Sequence, residues 1–495
     1  MKKTPTYCFV IVLITFLFGL PTGLLAQTKK KTARKKPVAA KKSSSPRLGT
    51  AVPMMTVFGV DKAPTKYLRL EPCANETPEQ IAEVENARDA DQQVGILINR
   101  LTNKDEWIRG CAIFRLKSFG KFASPALPLL FKLLRDDDTD GISDHASLAI
   151  YDIPPDKAYS YRDWLKMAED TDVYRRMYGV WALGYYAPTW KSNELKNAIK
   201  ALGAAAKDDD RTVKWLALKS ITRLGPYARD AVPVLIEMLQ KKERGLLQAV
   251  YALGRMGESA FPAVPLLFDM LYHPEAYEKD ENRRNVLSRA VAESLGHMGE
   301  GILPVLEREF NKKPYLMLTV ASFITGRDIS GIIIRGLQNP DKDVREKAAG
   351  FSIDNYETAI KVFPFLIKAA GDIAPVVRED AIETIGYMNA WENKPPEFNA
   401  LLKTTGLNAA IKLTKDLNSD VSCSAATAIG EFGVDGEKAV PALVSLLRRS
   451  HQQDNYCAER ALFRIGDKGR TFLSPERLKQ IEQIERICRS EQTVI

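Results

Sequence analysis

The stretch "DDDTDGISDHAS", residues 136–147, gathers more metal-ligand side chains than any other part of the chain. As a calcium loop, Asp136, Asp138 and Asp140 take its first, third and fifth positions. Gly141 supplies the sharp turn at the sixth, the Ile142 carbonyl comes seventh and Asp144 ninth. Hard oxygen donors at alternate positions are what calcium requires. The twelfth position, where a bidentate acid belongs, is Ser147. The competing reading is an acidic turn without a ligand, since "DDD" recurs at residues 208–210. Calcium held by Asp136, Asp138, Asp140 and Asp144 is the one cofactor the sequence suggests, and none is required.

Catalytic signatures are missing. His145, His273, His297 and His451 are far apart, and none belongs to an H-E-x-x-H pair. There is no G-x-S-x-G, P-loop or G-x-G-x-x-G. No catalytic residue is therefore assigned, and the expectation is a protein that is not an enzyme. Aromatics crowd residues 151–190, ending in "YYAPTW". Such rings pack well in cores and also anchor protein partners. Tyr185, Tyr186 and Trp190, placed in a turn, are the candidate partner-binding residues.

The elements carrying these residues repeat. "LGPYARDAVPVLIEML" (residues 224–239) is followed 32 positions later by "MGESAFPAVPLLFDML" (residues 256–271). Gly225 and Gly257 each stand eight before a proline, Pro233 and Pro265. Large apolar residues follow each proline at plus two, five and six, which is one face of a helix. Pro128, Pro364 and Pro441 are read the same way, each near the first turn of a second helix where its missing N–H costs nothing. A base precedes the small residue by eleven positions, as in Arg109, Arg176, Lys214 and Arg378. An acid such as Asp105, Asp172, Asp210 or Asp341 stands four before the base and can cap the first helix. The recurring arginines are expected to form an internal Asp–Arg ladder between repeats.

Helical pairs recurring at this period cannot bury their own apolar stripes and must stack. The fold class is therefore all-α, an α-solenoid (superhelix) of about ten helical hairpins. "DEWIRGCAIFRLKSFG", "RTVKWLALKSITRLG", "DKDVREKAAG", "PVVREDAIETIG" and "SCSAATAIGEFG" resemble bacterial HEAT repeats, most closely the short type of the phycobilin lyases. That resemblance implies a protein-binding scaffold, and in some members a lyase or a nucleic-acid enzyme. It departs from the pattern in the aromatic stretch at 150–200 and at 314–339.

The start reads as an export signal: Lys2 and Lys3, an apolar run over residues 8–20, and Ala26 before Gln27. The basic run "KKKTARKK" just after it favours the cytoplasmic side, leaving an uncleaved membrane anchor as the alternative. Eleven of the 71 Lys and Arg lie in residues 1–50, which hold no acid; the remainder carries 60 bases against 62 acids. A nearly neutral body argues against a nucleic-acid partner. Segments are expected at 1–26 (signal), 27–50 (basic disordered linker), 51–85 (extended lead-in and first helix), 86–474 (solenoid) and 475–495 (capping helix). Cys111, Cys423 and Cys457 fall in helical patterns and read as buried thiols, with a Cys423–Cys457 bridge as the alternative.

Lys132, Glu237, Asp269 and Arg448 mix both charges along the second helices, which points to a polypeptide partner. The expected role is an exported, periplasmic or extracellular scaffold that binds a protein through its curved helical surface. The basic linker could contact anionic membrane or cell-wall polymer. The alternative is a lyase-like or chaperone-like protein acting on a modified protein or chromophore, or a membrane-anchored cytoplasmic adaptor.

Overall fold

The structure is a computed structural model that describes residues 76–135, 141–156, 159–449 and 451–492. Its chain falls into two units, Lys62–Gly469 and a second formed by Met1–Asp61 with Arg470–Ile495. Among the described residues every element is a helix or turn, with no strand.

Within the larger unit the helices alternate as first and second members of hairpins. The first hairpins are α1 (Pro78–Glu85) with α2 (Ala90–Arg100), α3 (Glu106–Ser118) with α4 (Leu127–Arg135), and α5 (Ile142–Asp152) with α6 (Tyr161–Ala168). Next come α7 (Val173–Tyr186) with α8 (Ser192–Ala205), α9 (Arg211–Leu224) with α10 (Val232–Gln240), and α11 (Leu246–Arg255) with α12 (Val264–Tyr272). They continue as α13 (Glu281–Gly296) with α14 (Leu303–Glu309), α15 (Pro314–Ala321) with α16 (Ser330–Leu337), and α17 (Lys342–Ala349) with α18 (Tyr356–Ala369). In the next hairpin α19 (Pro375–Asn389) precedes α20 (Pro396–Leu401), a π-helical turn and α21 (Leu407–Leu413). Then α22 (Ser419–Glu431) pairs with α23 (Val440–Leu446), and α24 (Gln452–Ile465) is followed by α25 (Asp467–Arg470). The smaller unit contributes α26 (Pro475–Gln492). Among its described residues the larger unit is an all-α solenoid.

Local sequence accounts for each joint. Gly225 and Gly257 have φ of 52° and 59°, a backbone that L side chains rarely adopt, so glycine is needed there. Each opens a seven-residue 3₁₀ turn, Gly225–Ala231 and Gly257–Ala263, after which the second helix starts at Val232 or Val264. Pro233 and Pro265 are the second helical residues, where no N–H is needed. Leu235, Met238 and Leu239 are buried, as are Leu267, Met270 and Leu271. Pro364 departs from this rule. It lies well inside α18, because the joint after Gly350 lacks the 3₁₀ turn and the helix begins at Tyr356 under an Asn355 cap.

First helices stack in series: α7 on α9, α9 on α11, α11 on α13, and onward through α15, α17, α19, α22 and α24. The contact is close because small residues meet there. A Cβ on Gly184 would lie 2.2 Å from Cβ of Ser220, and one on Gly254 would lie 2.7 Å from Cα of Ser294. Each serine turns the near approach into a bond: Ser220 Oγ donates to Val180 O (3.3 Å) and Ser294 Oγ to Val250 O (2.9 Å). One contact in this series is covalent. Cys423 on α22 and Cys457 on α24 form a disulfide with Cα atoms 5.2 Å apart, and Cys111 is also disulfide-bonded. The expectation of buried thiols is corrected: successive first helices bring side chains a full repeat apart within bridging distance.

The arginines form the expected ladder. Arg176 bonds both oxygens of Asp208 (2.9 and 3.2 Å), and Arg345 those of Asp372 (2.8 and 3.0 Å). Each also donates to two carbonyls of its own turn, as Arg109 does to Asn103 O and Lys104 O. Asp105, Asp172, Asp210 and Asp341 are N-caps whose carboxylates accept backbone N–H groups of the first turn.

Candidate partner-binding surface

The stack of first helices lapses between α5 and α7, which make almost no close backbone approach among the described residues. Aromatic rings occupy that place. The segment after α5 turns away from the helix at Ile153, and side chains of α7 hold it. Trp181 Nε1 donates to Ile153 O (3.4 Å), Tyr186 Oη to Pro155 O (2.7 Å), and Tyr178 Oη accepts from Asp156 N (2.8 Å). Burial, with help from neighbouring Tyr185, pushes the Tyr186 hydroxyl up to about 12, so it stays protonated and keeps donating.

On α6, Trp164 stacks against Tyr186 (5.0 Å between centroids) and Trp190 (5.9 Å), while Tyr161 meets Trp190 edge-on at 4.9 Å. Tyr185 stands edge-on to Trp181 and to Tyr186. From α9, Arg223 reaches over this group, its guanidinium 4.2 Å from the Tyr185 ring centroid and 5.0 Å from that of Tyr151. The same arginine donates to Tyr151 O (3.0 Å), which locks the cation over the rings.

Tyr185, Tyr186 and Trp190 are therefore brought together, each half-buried, with Pro188 and Thr189 exposed between them. They do different things. Tyr186 is tied down by its hydrogen bond and its stack; Tyr185 and Trp190 have no side-chain hydrogen bond among the described residues and are held by ring contacts, Tyr185 also by the Arg223 guanidinium. Beneath them, the Trp164 indole N–H and the Tyr161 hydroxyl are buried without a hydrogen-bond partner among the described residues. Trp164 itself is only 5% exposed.

Of the acidic loop, Asp136, Asp138 and Asp140 lie outside the described residues. Asp144 is exposed in the first turn of α5, which starts directly after Gly141 (φ 81°). His145 Nδ1 faces Gly141 O at 3.0 Å, and Ser147 Oγ donates to Asp144 O (2.7 Å). Among the described residues no group of three or more His, Cys, Asp or Glu could hold a metal ion. No described helix is long and apolar enough to cross a membrane.

One electrostatic feature escaped sequence reasoning. Glu379 and Asp380 on α19 are half-buried, and burial together with nearby Glu383 and Glu346 raises each to about 7; Asp420 adds to the effect on Glu379. Its signal was present, because Glu346 and Glu379 both directly follow a ladder arginine.

Fold and site together define a helical-repeat solenoid with an aromatic break in its stacking. A protein-family model described as HEAT repeats matches residues 161–254 and 199–281, so the aromatic helices α6 and α7 lie within the match. A curated relative, the Crescerin-like protein che-12 of Caenorhabditis elegans, is 21% identical over 174 residues, covering 28% of this chain and 13% of that protein. The chain therefore spans a small part of that relative's length. Similar solved structures include an engineered protein at 16% identity, covering 76% of this chain and 99% of that one, with TM-score 0.30. Kap121p is similar at 15% identity over 79% of this chain and 47% of that chain, TM-score 0.44. Importin beta is similar at 15% over 78% and 53%, TM-score 0.41.

Proposed function

We propose that this protein is a non-enzymatic, exported HEAT-repeat scaffold that binds a polypeptide through the Tyr185–Trp190 edge of the aromatic cluster. The observation carrying this reading is the Arg223–Tyr185–Trp181–Tyr151 assembly beside the Trp164–Trp190 stack. Tyr, Trp and Arg dominate the energetics of protein interfaces because they bury much area with little entropy lost. Here they are already held in place, so binding needs little further ordering. Mixed charge on the second helices favours a polypeptide over a polyanion: Glu237, for one, accepts from both Lys207 and Lys241 and sits near 2 as a result.

Affinity capture with intact protein and with a Tyr185→Ala/Trp190→Ala variant tests this. Loss of a specific captured protein, with helicity unchanged by circular dichroism, is the expected result; an identical set of captured proteins would discard the aromatic site. Tyr186 is left intact because it holds Pro155.

Export rests on the signal-like start and on the Cys423–Cys457 bridge, since such bonds persist in oxidising compartments. Sequencing the mature N-terminus should begin at Gln27, and an intact Met1 would favour the anchored alternative.

A further inference from the structure

Lys219 and Arg289 occupy equivalent places in the stack, each five residues after the base near the start of its first helix, Lys214 on α9 and Arg284 on α13. Both side chains are exposed. The ladder arginines Arg176, Arg345 and Arg378 are paired with carboxylates, but among the described residues no ion pair reaches Lys219, Arg223 or Arg289. Trp215, Lys219 and Arg223 are spaced four apart and share one face of α9, where the Lys219 ammonium stands 5.4 Å from the Trp215 ring centroid. That ammonium is open to solvent yet flanked by protein; the partial desolvation lowers its pKa, and no carboxylate offsets the loss. Between α9 and α13 lies α11, packed on both, with the Tyr251 ring exposed. Desolvation by the surrounding helices raises the Tyr251 hydroxyl, Glu293 adds to the rise and Arg289 opposes it, so both α13 side chains lie near that ring.

We infer that the Lys219–Tyr251–Arg289 face of α9, α11 and α13 docks an acidic stretch of a polypeptide, whose carboxylates take the two unpaired cations while its backbone lies against Trp215 and Tyr251. Charge complementarity carries this. A cation already partly stripped of water and lacking a partner has less hydration to lose to an incoming carboxylate than a fully solvated one. A nucleic acid fits the same face less well. The position on α19 equivalent to Lys219 and Arg289 is Glu383, which stands near Glu379 and Asp380. A phosphate backbone following the stack would therefore run from cations into acids, whereas a polypeptide can confine its acids to one short stretch. The face adjoins the aromatic cluster through Arg223 but uses neither Tyr185 nor Trp190, so it does not depend on the site proposed above.

The test titrates the full-length protein with a labelled short poly-glutamate peptide and locates the bound peptide by hydrogen exchange. Protection is expected within residues 211–223, 246–255 and 281–293. A Lys219→Gln/Arg289→Gln variant should bind about tenfold more weakly or worse. Both substituted side chains are exposed, so its circular dichroism should match the intact protein. The Tyr185→Ala/Trp190→Ala variant should bind the peptide unchanged. Undiminished binding by the Lys219/Arg289 variant, protection confined to the basic residues 29–47, or tighter binding of a single-stranded oligonucleotide through Lys219 and Arg289 would each overturn the inference.

Discussion

Arg378 on α19 and Asp416, thirty-eight residues further on, are joined by two hydrogen bonds of 2.8 Å each, so that consecutive repeats are held by one guanidinium. Arg378 also donates to Asp372 O and Ile373 O of its own turn, and Asp372 accepts in turn from Arg345. The side chains are 17% and 11% exposed, which shields the pair from water. Arg378→Ala should therefore cost about 2–3 kcal/mol, much of it from the stranded Asp416 charge. Arg378→Lys should recover only part of the loss, since an ammonium cannot bond both oxygens and both carbonyls in one plane. Thermal unfolding of the two variants measures this.

Gly254 faces Ser294 at the tightest crossing of α11 and α13. Gly254→Ala puts a methyl 2.7 Å from Ser294 Cα, so the helices must separate and the Ser294–Val250 bond is lost. A destabilisation of about 1–3 kcal/mol is expected in chemical denaturation. An alanine at Gly95, whose Cβ would meet nothing within 4 Å, serves as the control and should be near neutral or stabilising.

Reducing Cys423–Cys457 should loosen the C-terminal hairpins. The bridge spans 34 residues, for which chain-entropy arguments give about 3–4 kcal/mol. A Cys423→Ser/Cys457→Ser variant should show faster proteolysis within residues 419–465 and little change in α7–α11.

Glu379 and Asp380 make stability depend on pH in a direction opposite to that of a salt-bridged acid. Their folded values, about 7, lie above the ordinary 4.5 and 3.8, so the folded chain keeps protons that the unfolded chain has released. Stability is therefore greatest below about pH 4 from these two groups and falls as pH rises through 7. Both are half-exposed, and solvent screening reduces the effect to roughly 1 kcal/mol each. Glu379→Gln and Asp380→Asn should each raise the melting temperature at pH 8 and flatten its decline between pH 5 and 8. A decline unchanged in both variants would assign it to other groups.

Much of the architecture is local and was legible in the chain. Gly225 and Gly257 adopt a backbone that glycine alone tolerates readily, Pro233 and Pro265 start the helices that follow, and Asp172 or Asp210 caps the next first helix. Each rule involves residues a few positions apart, so spacing sufficed. Pro364 misled because the glycine-opened turn before it is missing, and Asn355 starts the helix earlier. The crowding of aromatics was equally plain; that Tyr186 is tied down while Tyr185 and Trp190 remain at the edge was not.

What only tertiary structure decided involves partners one repeat or more apart. Cys423 meets Cys457 and Ser294 meets Val250 because stacked helices align positions some 30–45 residues distant, while Arg223 reaches Tyr151 across the place where α5 and α7 do not stack. The burial that raises Glu379 and Asp380 arises in the same way, from helices that the sequence places far apart. Residue type and spacing determine the helix, its cap and its apolar face. The angle and depth at which one hairpin seats on the next determine which side chains meet, and that follows from packing between surfaces rather than from any short stretch of sequence.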